Sequence, residues 1–163
     1  MKRSSPEPSV YSAAVRLLGM REHSRSELRQ KLLTRGHAET EVEESLDRLV
    51  QQDYLNDSRF AALVFRQYSD LGRSGVERQM LRRGLAPEVW EDLVHQIDSE
   101  DEASRARAAA SKKARELPAD LNDYDQVQRW RRRAAAYLMR RGFSGSVTNR
   151  ALGEVLDRAK ENA

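Results

Sequence analysis

No cysteine occurs among the 163 residues, which removes disulfides, thiolate metal sites and thiol nucleophiles together. Histidine is scarce. His23, His37 and His95 are scattered, with no His-x-x-x-His pair from which a zinc set could be built. The chain has no Gly-x-x-x-x-Gly-Lys phosphate loop, no Gly-x-Gly-x-x-Gly and no Gly-x-Ser-x-Gly nucleophile elbow. Adjacent acids such as Glu43-Glu44 and Glu91-Asp92 face different directions on a helix and belong to solvated surfaces. Ser144-Gly145-Ser146 reads as a capping loop. The expectation is a protein that is not an enzyme and takes no cofactor, metal or small-molecule substrate.

Long apolar runs are also missing, and no charged n-region precedes an apolar h-region. Neither a transmembrane helix nor a secretory signal is expected, which points to a soluble, cytoplasmic protein without a membrane partner. No stretch alternates with period two, and no Asn-Gly or Asp-Gly hairpin turn occurs. The fold class expected is all-α.

What is present is helix after helix. Ser9 can cap a first helix with Val10, Ala14, Leu17 and Leu18 on its inner face. Ser24 with Glu27 forms a capping-box pattern, each side chain meeting the other residue's free amide. That helix carries Leu28, Leu32 and Leu33 and stops at Gly36, able to take the left-handed C-terminal cap. Thr40 with Glu43 forms a second box ahead of Val42, Leu46, Leu49 and Val50 at helical spacing. Tyr54-Leu55-Asn56-Asp57-Ser58-Arg59-Phe60-Ala61 then joins two helical units with almost no slack, Asn56 or Asp57 capping the next helix.

The second unit repeats the plan. Phe60, Val64 and Tyr68 line a helix from about Asp57 that ends near Leu71-Gly72. Ser74 with Glu77 makes a third box, leading to Val76, Met80, Leu81 and then Gly84. Pro87 suits the first turn of the next helix, whose core side carries Val89, Trp90, Leu93, Val94 and Ile97.

The third unit opens on a helix over roughly 100–116. Acids at Glu100, Asp101 and Glu102 and bases at Lys112, Lys113 and Arg115 complement the helix dipole at both ends. Its inner face is mainly alanine (Ala103, Ala106, Ala110). Pro118 breaks it, and Asn122, Asp123 or Asp125 can cap a helix with Val127, Trp130, Ala134, Tyr137 and Leu138 as its stripe. The last helix starts after Ser144 or Ser146 and carries Val147, Leu152, Val155 and Leu156.

Alignment on glycine exposes a repeat. Leu-Leu-Thr-Arg-Gly at 32–36 matches Met-Leu-Arg-Arg-Gly at 80–84 and Leu-Met-Arg-Arg-Gly at 138–142. Ten residues past each glycine stand Leu46, Val94 and Leu152; thirteen past stand Leu49, Ile97 and Val155. The expected organisation is a flexible tail over 1–8 and three tandem three-helix repeats, nine helices, over 9–55, 56–97 and 98–160.

Charge is unevenly spread. Residues 1–55 hold nine basic and nine acidic side chains, and 56–97 hold six of each. Residues 98–125 hold five and eight, and 126–163 hold nine and three, within a net +3. The basic excess lies in the last quarter, beside the 127–138 stripe, at Arg129, Arg131, Arg132, Arg133, Arg140 and Arg141. A localised basic face can meet nucleic acid or an acidic protein surface. Trp90 and Trp130 sit at core positions of their helices, although Trp130 between Arg129 and Arg131 also matches a base-stacking platform. A helix-turn-helix reading meets an obstacle in the first two units. The helices after Gly36 and Gly84 begin with Glu39, Glu41 and Glu43, or Glu88, Glu91 and Asp92, which phosphate repels. The third has Thr148, Asn149 and Arg150 there and is a candidate for weak, non-specific DNA contact.

The order and spacing of several short tags resemble the RecX family of recombinase regulators, from Ala14 to about Leu156. They are Leu17-Leu18, Arg21, His23-Ser24, Glu27-Leu28, Lys31-Leu32 and Gly36, then Leu46, Leu49, Tyr54-Leu55, Asp57 and Arg59-Phe60-Ala61. Gly72, Gly75 and Arg-Arg-Gly-Phe at 140–143 complete the set. The chain departs from the pattern at Asn56, where the family usually has aspartate, and at Val76, where proline is common. The resemblance implies three-helix repeats in an elongated, curved arrangement and a negative regulator of the RecA recombinase. Such a protein lies in the groove of the RecA filament on single-stranded DNA and suppresses ATP hydrolysis, strand exchange and the co-protease activity behind the SOS response in DNA repair. Charge concentration, and not a family motif, nominates the partner-binding residues: Arg59, Arg66, Arg82, Arg83, Arg129, Arg132, Arg133, Arg140 and Arg141. The alternative is a helical DNA-binding module acting without RecA.

Overall fold

A computed structural model describes residues 9–162; the tail expected over 1–8 lies outside the described residues. The described residues form nine α-helices and no strand, in three sets of three. The first set is α1 (Val10–Met20), α2 (Arg25–Thr34) and α3 (Glu39–Gln51). The second is α4 (Asp57–Gln67), α5 (Arg73–Arg82) and α6 (Pro87–His95). The third is α7 (Ser99–Ser111), α8 (Tyr124–Arg140) and α9 (Gly145–Glu161). The chain divides into two compact units, one comprising Met1–Val64 with Met80–Trp90, the other Phe65–Gln79 with Glu91–Ala163.

In the first unit the expected apolar stripes converge. Val10, Ala14 and Leu17 of α1 pack with Leu28 and Leu32 of α2 and with Val42, Leu46 and Leu49 of α3 in one core cluster that also takes in Leu55. Leu28, Leu32, Leu46 and Leu49 are wholly buried, each contributing about 2 kcal/mol. Ser9 accepts from the Ser12 amide at 3.2 Å, and Asn56 from the Arg59 amide at 2.9 Å, so both caps form where local sequence placed them. Asp57 does something else. Its Oδ1 accepts from the Arg25 amide at 2.8 Å, so it satisfies the first turn of α2, 32 residues earlier.

The second unit has a core built partly on alanine. Ala106, Ala109 and Ala110 of α7 let it lie close to α8 and α9, where Trp130, Ala134, Leu138, Phe143, Ala151, Leu152 and Leu156 complete the cluster. Helix α7 ends at Ser111, short of the expected 116, and a 3-10 turn over Ala114–Glu116 follows. Asp123 caps α8 and Ser144 caps α9, accepting from the Gln126 and Val147 amides. Pro87 opens α6, but that helix ends at His95, so buried Ile97 lies beyond it.

Three expected capping boxes fare differently. Ser24 accepts from the Glu27 amide at 3.0 Å, but the Glu27 carboxylate turns to Arg21 and Arg83 in ion pairs at 3.0 and 3.2 Å. The box is therefore half made. Thr40 with Glu43 does not form one: α3 starts at Glu39 behind Ala38, which gives no side-chain cap, and Glu43 is drawn to Arg25 and Arg29 of α2. Those two guanidiniums hold its carboxyl below the usual carboxylate range. Ser74 lies inside α5, because the helix begins at Arg73 after Gly72. A side-chain cap has no room there, since a Cβ on Gly72 would run into the backbone of Gly142 and Phe143. Val50 and Leu81, expected on core faces, are 47% and 56% exposed. Each sits in the last turn of its helix, where the stripe no longer meets a partner.

Candidate functional site

Helix α8 is oriented by its inward stripe. Trp130, Ala134 and Leu138 are 1%, 2% and 0% exposed, and the indole Nε1 donates to the Lys113 carbonyl at 2.9 Å. Trp130 is therefore a core residue and cannot stack a base; Trp90 is buried likewise, donating to the Leu85 carbonyl at 3.1 Å. With 130, 134 and 138 inward, the 100° step per residue places 129, 132, 133 and 140 within roughly a 100° arc on the outer side. All four are exposed arginines, and none enters an ion pair among the described residues. From Arg129 to Arg140 the axial rise is about 16 Å. The arrangement is a row of exposed guanidiniums outside any ion pair among the described residues, donors whose fork geometry suits phosphate and carboxylate alike. Two acids lie near the row: Asp123, whose carboxyl is held below its ordinary range by the Gln126 amide and side chain with a smaller contribution from Arg129, and Glu116, which lines a shallow pocket with Arg129 and Arg133.

The other five candidate arginines have other surroundings. Arg59 pairs with Glu22 at 2.9 Å and Asp53 at 3.3 Å and donates to the carbonyls of Asp53 and Tyr54, stapling α4 to the turn that precedes it. Asp53 holds a positive φ of 56° in that turn. Arg83 pairs with Glu27. Arg141 pairs with Asp70 and lies 5.5 Å from the centroid of the Tyr137 ring. Arg66 and Arg82 are exposed near the ends of α4 and α5, with no ion pair among the described residues. Arg131, between the two faces of α8, is half-buried.

Two features escaped the sequence. His23 is 1% exposed, its Nδ1 2.9 Å from the Arg21 carbonyl and its Nε2 without a hydrogen-bond partner among the described residues; burial pushes the imidazole below its ordinary value. Arg73 reaches the Ile97 carbonyl while its amide meets Glu102 at 3.3 Å. Neither has a local sequence signal, because each depends on chain that folds against it. Among the described residues no group of three or more His, Asp or Glu is placed to hold a metal, and no helix is long and apolar enough to cross a membrane.

Comparison with known proteins agrees with this architecture. Residues 11–49 match the model of the first three-helix domain of RecX, and residues 100–152 match that of the third. The regulatory protein RecX of Corynebacterium efficiens is 36% identical over 159 residues, covering 94% of this chain and 74% of that protein. The regulatory protein RecX of Ralstonia pickettii is 34% identical, covering 88% of this chain and 86% of its own. The crystal structure of RecX from Lactobacillus salivarius superposes with a TM-score of 0.73 at 20% identity, over 90% of this chain and 94% of that one. Tandem three-helix sets, glycine-ended second helices and similarity over most of the chain together place it in the RecX family of regulatory proteins.

Proposed function

We propose that this protein is a negative regulator of the RecA recombinase, acting in the cytoplasm on the RecA–single-stranded DNA filament. It inhibits the filament's ATPase, strand-exchange and co-protease activities and so modulates DNA repair and the SOS response. The observation that carries the reading is the unpaired row Arg129, Arg132, Arg133 and Arg140 on the outer face of α8, in a chain of the RecX family. We assign those four to the filament contact, with Arg66 and Arg82 as further exposed contributors. Arg59, Arg83 and Arg141 position backbone through their ion pairs.

Magnitudes favour a protein-bearing partner over bare DNA. Four phosphate contacts on a single strand give a log–log salt slope of only about −3, typical of weak non-specific binding. A filament adds protein surface to the same phosphates, so the small basic row supplies only part of the affinity. To inhibit, the protein has to bind one filament state better than another, because a ligand shifts an equilibrium only by its differential affinity. A second reading, a DNA-binding module acting without RecA, draws on the same arginine row and is separated from the first by whether RecA is required.

The test is RecA ATP hydrolysis on single-stranded DNA with the protein at substoichiometric amounts. Strong inhibition at few copies per filament is expected. No effect at saturation overturns the assignment.

A further inference from the structure

The same junction is built once in each compact unit. In the first, the end of α5 meets the start of α2: the Arg83 carbonyl accepts from Ser24 Oγ at 2.5 Å, and Arg83 pairs with Glu27. Gly84, at φ +68°, sits so close that an added Cβ would lie 2.7 Å from the Ser26 Cβ. In the second, the end of α8 meets the start of α5. The Arg141 carbonyl accepts from the Gly72 amide at 3.1 Å, Arg141 pairs with Asp70, and Gly142, at φ +89°, rests on the backbone of Ser74 and Gly75. The rule is common to both: the Arg-Gly end of one second helix docks on the first turn of the second helix of the preceding repeat, carbonyl to donor and guanidinium to carboxylate.

Two ends of this series are left over. Arg35-Gly36 closes α2 with φ +88°, yet none of the described residues lies within 4 Å of a Cβ built on Gly36. Arg35 is exposed, and neither an ion pair nor a hydrogen bond to its carbonyl occurs among the described residues. At the other end, the first turn of α8 receives no Arg-Gly pair. The Asp123 amide, the counterpart of the Gly72 donor, makes no hydrogen bond among the described residues. Asp120 and Asp125 beside it are exposed and outside any ion pair among the described residues, Asp120 accepting from the Asn122 amide at 2.9 Å. Among the described residues, a carbonyl without a donor and a guanidinium outside any ion pair at one end thus complement an amide without an acceptor and the exposed Asp125 carboxylate at the other.

We propose that Arg35-Gly36 of one copy docks on the α8 first turn of a second copy, head to tail, reproducing the internal junction between molecules. Such a contact is heterologous and does not close on itself as a two-fold dimer does. One helix end on another is also small beside a standard interface, so a covalent trap is the way to read it. The chain has no cysteine of its own, which makes the trap clean. Full-length T34C and Y124C proteins, both sites exposed, are mixed under mild oxidation with diamide and the mixed disulfide is followed by mass. The control pair is T34C with E91C, an exposed position on α6.

The T34C–Y124C dimer is expected to form at least about tenfold faster than the control, the gain that a pre-docked pair gives in effective concentration. Adding R35E to T34C is expected to return the rate to the control value. Equal rates for the two pairs overturn the proposal, as does a rate for T34C/R35E that matches the unreversed protein. Far-UV circular dichroism on each variant separates loss of docking from loss of fold.

Discussion

Gly142→Ala is expected to cost roughly 3–5 kcal/mol of unfolding free energy, a large share of the about 5–15 kcal/mol that a domain commonly holds. Two penalties coincide at this residue. Its φ of +89° lies where a side chain is strained by about 1–3 kcal/mol. A Cβ would also be driven into the Gly75 backbone, and backbone cannot rotate aside as a flexible side chain can. Relieving the clash means pulling the end of α8 away from Gly72, which breaks the bond to the Arg141 carbonyl and the pair with Asp70. Gly36→Ala is the internal comparison. It shares the positive φ but meets nothing within 4 Å, so about 1–2 kcal/mol is expected. Urea midpoints of the two variants check this. A Gly142→Ala loss no larger than that of Gly36→Ala contradicts the junction described above.

Reversing the arginine row, R129E with R132E, R133E and R140E, is expected to leave the fold intact and weaken filament binding by on the order of a hundredfold or more. The fold survives because all four side chains are exposed, none is in an ion pair among the described residues, and arginine and glutamate are similar helix formers. The salt dependence carries more information than the affinity. If the row meets phosphate, the log–log slope falls in magnitude by about 3, the share of four single-strand contacts. Unchanged affinity and slope in the reversed protein contradict the assignment of these four residues.

How much of this was legible in the sequence depends on how local each feature is. The caps at Ser9 and Ser24 were readable, and those at Asn56, Asp123 and Ser144 to within one or two neighbours, because an N-cap uses an amide two or three residues away. The glycine stops at 36, 84 and 142 were readable for a like reason, and all three carry positive φ. The apolar stripes followed from period, except at Val50 and Leu81 in the last turns of α3 and α5. Failures occurred where distant chain competes for the same group. Thr40-Glu43 and Ser74-Glu77 have the right spacing for a capping box. However, Glu43 is drawn off by Arg25 and Arg29, and the start of α5 is set by Gly72 lying against Gly142.

The arginines show the same limit more sharply. Arg132 and Arg141 are alike as letters. One faces outward with its charge unopposed; the other is spent on Asp70, 71 residues away. Sequence concentrated the charge correctly in 126–163 but could not sort structural guanidiniums from available ones, because that division depends on tertiary partners. Trp130 was flanked by arginines in sequence, yet its ring is buried in the core while Arg129, Arg132 and Arg133 are exposed. Adjacency along a helix places neighbours about 100° apart, not on a shared surface.

The most direct test of the central claim is equilibrium binding of the fluorescently labelled protein, side by side, to RecA–single-stranded DNA filaments and to the same naked DNA at physiological salt. Binding to the filament, with little to the naked strand, is the predicted result. Equally tight binding to both, or none to the filament, contradicts it.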